Sequence, residues 1–222
     1  MHEPGRAGEP AELRRLPSGR HRLSPDFVAG HQVNRILAAV VEVTGTAGVR
    51  ELTVDAIIGR AGVSRATFYV HFRNKEDAFA RAYDEVVERL MGSVVAAYRD
   101  APGADAPSRL RAGLAAFLEF LAADPPAART CVVESMAAGP AAAARRDAAI
   151  GAFAQLIADN VRELYPHYPD PDLMAETIVG GIYQVAYTRI RRGEIADLPG
   201  LLPGLLGSFA VPDPDRWGPA AR

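Results

Sequence analysis

Apolar residues recur at helical spacing through the first half of the chain, in four short registers, each bounded by a residue that starts or stops a helix. Val33, Ile36, Leu37, Val40, Val41 and Thr44 follow the i, i+3, i+4, i+7 rule of a helix with one buried face. Ser24-Pro25 suits its start, and Gly45 and Gly48 its end. After Thr53, whose hydroxyl suits an N-cap, Val54, Ile57, Ile58 and Ala61 repeat the pattern, and Gly62 permits the left-handed turn that closes the helix. Ser64 opens a third helix with Ala66, Phe68 and Phe72 expected to pack inward. Asn74-Lys75-Glu76-Asp77 reads as a cap followed by first-turn carboxylates, and Phe79, Ala82, Tyr83, Val86, Val87 and Leu90 then mark one face of a long fourth helix.

The second half continues in the same period. A loop at 101–107 precedes a helix carrying Leu110, Leu114, Phe117, Leu118 and Leu121, which stops at Asp124-Pro125-Pro126. A helix is expected over 126–138, and Gly139-Pro140 breaks it. Long helices follow over 141–165 and 172–192, separated by the proline-rich loop 165–171. The run LPGLLPGLLGSF, 198–209, reads as a terminal helix with almost no charge, and so apolar a helix needs burial. The expected fold is all-α: a flexible arm over 1–24, a three-helix head over 25–75, a helical body over 76–211 and a tail over 212–222.

The outward face of the third helix carries Arg65, Thr67, Tyr69 and His71. These are hydrogen-bond donors, unlike the Glu/Lys mixture of an ordinary solvated face. Two short helices, a glycine-containing turn and a donor-rich second helix make a helix-turn-helix, whose second helix enters a DNA major groove. The stretch AGVSRATFYVHFRNKEDAF resembles the DNA-binding signature of TetR (tetracycline-repressor-like) transcriptional regulators. Its Ala-Gly-Val-Ser, Phe-Tyr-x-His-Phe and Asn-Lys-Glu elements carry the resemblance, which covers Ile36 to Phe79. Thr44, Val40 and Ala66 depart from the family's usual residues as packing changes. The resemblance implies that Thr53, Tyr69, His71 and Lys75 hold phosphates while Arg65 and Thr67 lie toward base edges. The chemistry agrees: hydroxyl, imidazole and amine donors suit phosphate oxygens, and arginine pairs bidentately with guanine.

Charge sharpens that picture. The chain of 222 residues has a formal net charge of −2, which argues against indiscriminate coating of nucleic acid. From Arg20 to Lys75, however, Arg20, Arg22, Arg35, Arg50, Arg60, Arg65, Arg73 and Lys75 outnumber Asp26, Glu42, Glu51 and Asp55, so a basic DNA-binding end joins a neutral or acidic body. No apolar run is long enough to span a membrane, and the start of the chain lacks the apolar core of a secretory signal, so a cytoplasmic location is expected. The single cysteine, Cys131, excludes an intrachain disulfide. The five histidines are scattered, with no metal-ligand spacing, and no phosphate loop or nucleophile elbow is present. No metal, no cofactor and no catalytic residue is expected, and an enzyme is the weakest reading.

The resemblance also implies a body cavity for a small-molecule effector, a homodimer formed through a four-helix bundle, and a double-stranded DNA operator. Polar or aromatic residues within the apolar body helices supply candidate ligand contacts: Tyr98, Arg129, Glu134, Gln155, Asn160, Tyr183, Gln184 and Tyr187. Each has a plain alternative as a surface or internally paired residue. Candidate dimer residues are Ile178, Gly181, Ile182, Val185, Leu202, Leu205, Leu206 and Phe209, against the alternative that these helices finish the chain's own core. The expected function is a dimeric, sequence-specific regulator, read as a repressor that an apolar or amphipathic effector releases from its operator. A DNA-bound protein-interaction module, or an apolar-ligand carrier with a vestigial helix-turn-helix, are the alternatives.

Overall fold

The computed structural model describes residues 25–101 and 105–208, with side chains from residue 29 onward. The expected arm, the expected tail and Phe209 lie outside them. Among the described residues every regular element is helical.

Helix α1 runs Pro25–Ala47. It passes through Gly45 and stops before Gly48, whose φ of 93° suits glycine. Gly45 has another use: a Cβ there would lie 2.4 Å from the backbone of Pro126, so α1 and the body touch main chain to main chain. A short tight turn, Val49–Glu51, leads to α2, Val54–Ala61. Thr53 Oγ1 accepts from the Ala56 N–H at 3.1 Å, and Gly62 closes the helix at φ 63°. Helix α3, Arg65–His71, starts where Ser64 Oγ accepts from the Thr67 N–H at 3.0 Å. Ile36, Val40, Leu52, Ile57, Phe68 and Phe72 fill the head, and the two phenyl rings sit 5.6 Å apart. Burying each ring contributes about 1.5–3 kcal/mol. Ala66 is exposed, contrary to expectation, because it precedes Phe68 by about 200° of helical rotation.

Helix α4, Lys75–Arg99, begins with Asn74 Oδ1 accepting from the Asp77 N–H at 2.8 Å. At about 1.5 Å per residue it is long enough to leave the head and run through the body. It packs on α1 near its start and along α5, Ala106–Ala123. Asp105 caps α5, so the preceding loop is shorter than the composition suggested.

The expected single helix over 126–138 is replaced by three pieces: α6, Pro125–Ala128, a wide π turn, Arg129–Val133, and a tight turn, Glu134–Met136. The cause is attachment to α1 on one side. Thr130 Oγ1 donates to Val41 O at 3.3 Å, and Glu134 Oε2 accepts from the Val49 N–H at 2.9 Å. The wide turn meets those bonds while Cys131 and Val132 face the body interior.

Helices α7, Pro140–Leu164, and α8, Pro171–Arg191, pack together as expected. The final apolar run is not one helix. It is a tight turn, Ile195–Leu201, followed by α9, Leu202–Ser208, and it lies on α5. Leu198 and Leu205 are buried there, so this run completes the chain's own core.

Candidate nucleic-acid interface and body cavity

Rigid phenyl anchors on its inner side hold α3 to the head, and its other side is open. Arg65 and Tyr69 are exposed, the latter at 52%, and Thr67 is half-buried with its hydroxyl 2.8 Å from that of Ser64. Arg65 pairs with Asp55 of α2, which holds its guanidinium above its ordinary pKa and fixes its direction. Thr53 flanks this face, its oxygen occupied as a cap and its O–H still available. Lys75 flanks it on the other side, half-buried, with Nζ donating to Leu52 O at 2.9 Å. An ammonium has three donors, so two remain for a phosphate. His71 is the exception. It is half-buried, with Nε2 3.2 Å from Gln32 Oε1, which makes it a clip between α3 and α1 as much as an outward donor.

Val70, which the sequence pattern does not single out, is 77% exposed beside Tyr69. Its place between Tyr69 and His71 puts it near the outer face. A valine there can meet a thymine methyl, as apolar side chains do in the major groove.

The body holds a partly open cavity of about 220 Å³ between α4, α5, α7 and α8, with the π turn and α9 also lining it. Its walls include Val87, Leu90, Leu114, Phe117, Ile150 and Phe153, with the two phenyl rings edge to face at 5.8 Å. Of the eight candidate ligand residues, Tyr98 and Tyr183 line it. Asn160 is buried behind Tyr98 and accepts its O–H at 2.9 Å. The other five do not line it. Arg129 and Glu134 pair with each other at 3.5 Å, and Glu134 bonds the head. Gln155 is exposed in a shallow groove between α7 and α8 and donates to Asp159. Gln184 is exposed and donates to Thr188, and Tyr187 accepts from Arg191 at 3.4 Å. Tyr83, Cys131 and Arg146 also line the cavity, at positions that no sequence signal marks. Burial pushes the Tyr83 phenol well above its ordinary pKa and the Cys131 thiol up to about 12, so both stay neutral.

The candidate dimer residues are also redistributed. Ile178, Ile182, Leu205 and Leu206 line the cavity within the single chain. Gly181, Val185 and Leu202 are half-buried. No group of three or more potential ligands could hold a metal among the described residues, and no described helix is long and apolar enough to cross a membrane.

Residues 36–82 match the model of the bacterial regulatory proteins, tetR family. Two regulators of Mycolicibacterium smegmatis are similar. The HTH-type transcriptional activator FasR is 31% identical over 108 residues, 49% of this chain and 48% of that one. The HTH-type transcriptional regulator EthR is 29% identical over 119 residues, 54% of each. The chain thus matches about half the length of these curated relatives. The fold is that of the fatty acid degradation regulator FadR from Bacillus halodurans, with a TM-score of 0.72 at 21% identity over 80% of this chain and 94% of that one. It is equally that of the transcriptional regulator FadR from Bacillus subtilis, solved in complex with stearoyl-CoA, with a TM-score of 0.70 at 20% identity over 79% and 96% of the two chains. Residues 36–82 thus carry the DNA-binding region of the tetR family of bacterial regulatory proteins, set on a helical body that shares its fold with these solved structures.

Proposed function

We propose that the chain is a homodimeric, sequence-specific DNA-binding regulator of transcription, acting in the cytoplasm as a repressor that a small apolar or amphipathic effector releases from its operator. The observation that carries this reading is α3: seven residues pinned by Phe68 and Phe72, with Arg65, Tyr69 and Val70 exposed on the outside. Residues 25–75 are the DNA-binding part, with Thr53, Tyr69 and Lys75 on phosphates and Arg65, Thr67 and Val70 toward base edges. His71 braces them.

Residues 76–211 hold the effector and the partner subunit. The apolar cavity supports an effector over a purely protein-recruiting body. One structural relative is named for fatty acid degradation and another was solved with stearoyl-CoA, which supports an acyl-type effector. FasR, a relative over about half of the chain, is named an activator, the opposite sign to the one proposed here. For the twofold contact the exposed sides of α7 and α8 serve best, with Gly151, Ala152 and Gln155 on one and Thr177, Gly180 and Gln184 on the other. Gly151 and Gly180 have nothing within 4 Å of a would-be Cβ, so a partner helix can approach closely. The effector acts by shifting α4, which runs from the recognition head to the cavity wall, and so the spacing of two recognition helices. Reciprocity then requires operator DNA to weaken effector binding.

The test is selection of bound sequences from random duplex DNA at near-physiological salt. A twofold-symmetric motif is expected. Recovery of no motif, with binding that disappears as salt rises, would leave only non-specific phosphate contact and favour the carrier reading.

A further inference from the structure

Resting on the reading of the cavity as an effector site, we infer that the effector is a single-chain amphiphile with an anionic head: its chain fills the cavity and its head is held by Arg146. The cavity selects largely by what it lacks. Three of the polar groups in its wall are already engaged inside the protein. The Tyr98 O–H donates to Asn160 at 2.9 Å, the Tyr183 O–H to Val132 O at 2.6 Å, and Cys131 Sγ to Ala128 O at 3.6 Å. A ligand that carried amides or hydroxyls deep into this wall would leave them unmatched. A hydrocarbon chain asks for nothing.

Among the described residues that line the cavity, Arg146 is the only charged one. Its side chain is only 21% exposed, and its Nε and Nη2 donate to Asp147 Oδ1 at 3.1 and 2.8 Å. Those bonds leave the Nη1 protons, and Asp147 itself is mostly in solvent at 66% exposure. The adjacent Arg145 does a different job: its Nε donates to both carboxylate oxygens of Asp84 at 3.0 Å, tying α7 to α4 on the outside. Two neighbouring arginines are therefore divided between a surface staple and a cavity charge. The phenol of Tyr83 lies within electrostatic range of that charge and adds a hydroxyl to the cavity wall. An anionic head gains a charge-assisted hydrogen bond there, a neutral head gains less, and a cationic head is repelled. A carboxylate and the phosphates of an acyl thioester share this chemistry.

The experiment is calorimetric titration of the full chain with four series of saturated chains: carboxylates from octanoate to stearate, the matching acyl-coenzyme A thioesters, the alcohols and the alkyltrimethylammonium salts. Anionic probes are expected to bind, alcohols about ten-fold more weakly, and ammonium salts not measurably. Arg146→Gln should weaken the anionic probes by about ten- to a hundred-fold and leave the alcohols within about two-fold. Arg146→Lys, which keeps the charge, should retain most of the affinity. Thermal unfolding of the unliganded variants checks that each is folded. Competition by coenzyme A alone separates the two sources: displacement assigns the thioester, and its failure assigns the free acid.

Alcohols that bind as well as carboxylates would overturn the inference. So would an unchanged carboxylate-to-alcohol ratio in Arg146→Gln, or failure of every anionic probe to bind. Operator selection is read separately. A chain that binds anionic amphiphiles and selects no operator sinks the regulator reading and keeps this assignment; the opposite pair of results does the reverse.

Discussion

Glu134 Oε2 accepts the Val49 backbone N–H at 2.9 Å, joining the body to the end of α1 across 85 residues of chain. The same carboxylate lies 3.5 Å from Arg129, and two residues earlier Val132 lines the cavity. The cavity wall and the DNA-binding head are therefore separated by half a turn of backbone, a second route of attachment besides α4.

That joint predicts a graded response. Glu134→Ala leaves the Val49 N–H and the Arg129 charge without their partner and should cost about 1–3 kcal/mol of stability. Glu134→Gln should cost less, since the carboxamide oxygen still accepts from Val49. Gly45→Ala should be the most damaging of the three, because its methyl meets the Pro126 backbone at 2.4 Å. Urea unfolding of the three variants gives the order, and a harmless Gly45→Ala would show that α1 and α6 do not touch in this way.

Tyr69 and Lys75 should separate in a paired salt and stability experiment. Tyr69→Phe removes an exposed, uncharged hydroxyl, so the unfolding midpoint and the slope of log affinity against log salt should stay put while affinity falls about equally at every salt concentration. Lys75→Ala should reduce that slope by about 0.9 for the one lost cation–phosphate contact and also lower stability by about 0.5–1.5 kcal/mol, because its bond to Leu52 O is lost. A Tyr69→Phe protein with unchanged affinity would remove Tyr69 from the phosphate contacts.

Arg65 and Val70 should govern which bases are chosen, and overall affinity less. Arg65→Ala should flatten the preference at one position of each half-site by about 1–3 kcal/mol, and Val70→Ala should relax a thymine preference beside it. Asp55→Asn weakens the pair that aims Arg65 and should broaden the same position. Repeating the operator selection with each variant reads this directly; identical motifs from wild type and Arg65→Ala would exclude base contact by Arg65.

Alkaline pH should destabilise the body. Burial raises the Cys131 thiol from an ordinary 9.0 to about 12, and Tyr83 moves the same way. Between those values the unfolded chain ionises and the folded one does not. The contribution is therefore complete below about pH 9 and is lost as pH rises toward 12. Cys131→Ala should flatten this fall while lowering the baseline through lost packing, as read from urea midpoints across pH. Asp77 acts at the acid end: bonds from the Arg73 backbone N–H and guanidinium lower its pKa, so its contribution disappears as pH falls below the ordinary carboxylate range.

Legibility varied with the range of the interaction. The caps at Thr53, Ser64 and Asn74 were readable because each side chain bonds a backbone N–H three residues on. Phe68 and Phe72 were readable because they repeat at one turn. Val70 carries no such signal, being apolar yet exposed on the outward face. The segment after Pro125 was misread as one helix because its partners, Val41, Gly45 and Val49, are remote in sequence. In the body, polar residues were picked by type: Gln155 and Gln184 turn to solvent, and Arg146 turns to the cavity from an Ala/Arg/Asp stretch that looks solvated.

By itself, then, the sequence determined the all-α class, the helix-turn-helix and the donors that α3 presents. Those properties depend on contacts within one or two turns, where spacing and residue type settle the geometry. Only the tertiary structure decided that Leu205 fills its own chain's interior, that Glu134 clasps the head, and that Arg146 and not Arg145 charges the cavity. A helix shows the same residues at every rotation about its axis, and which of them faces inward is settled by packing against elements far away in the chain.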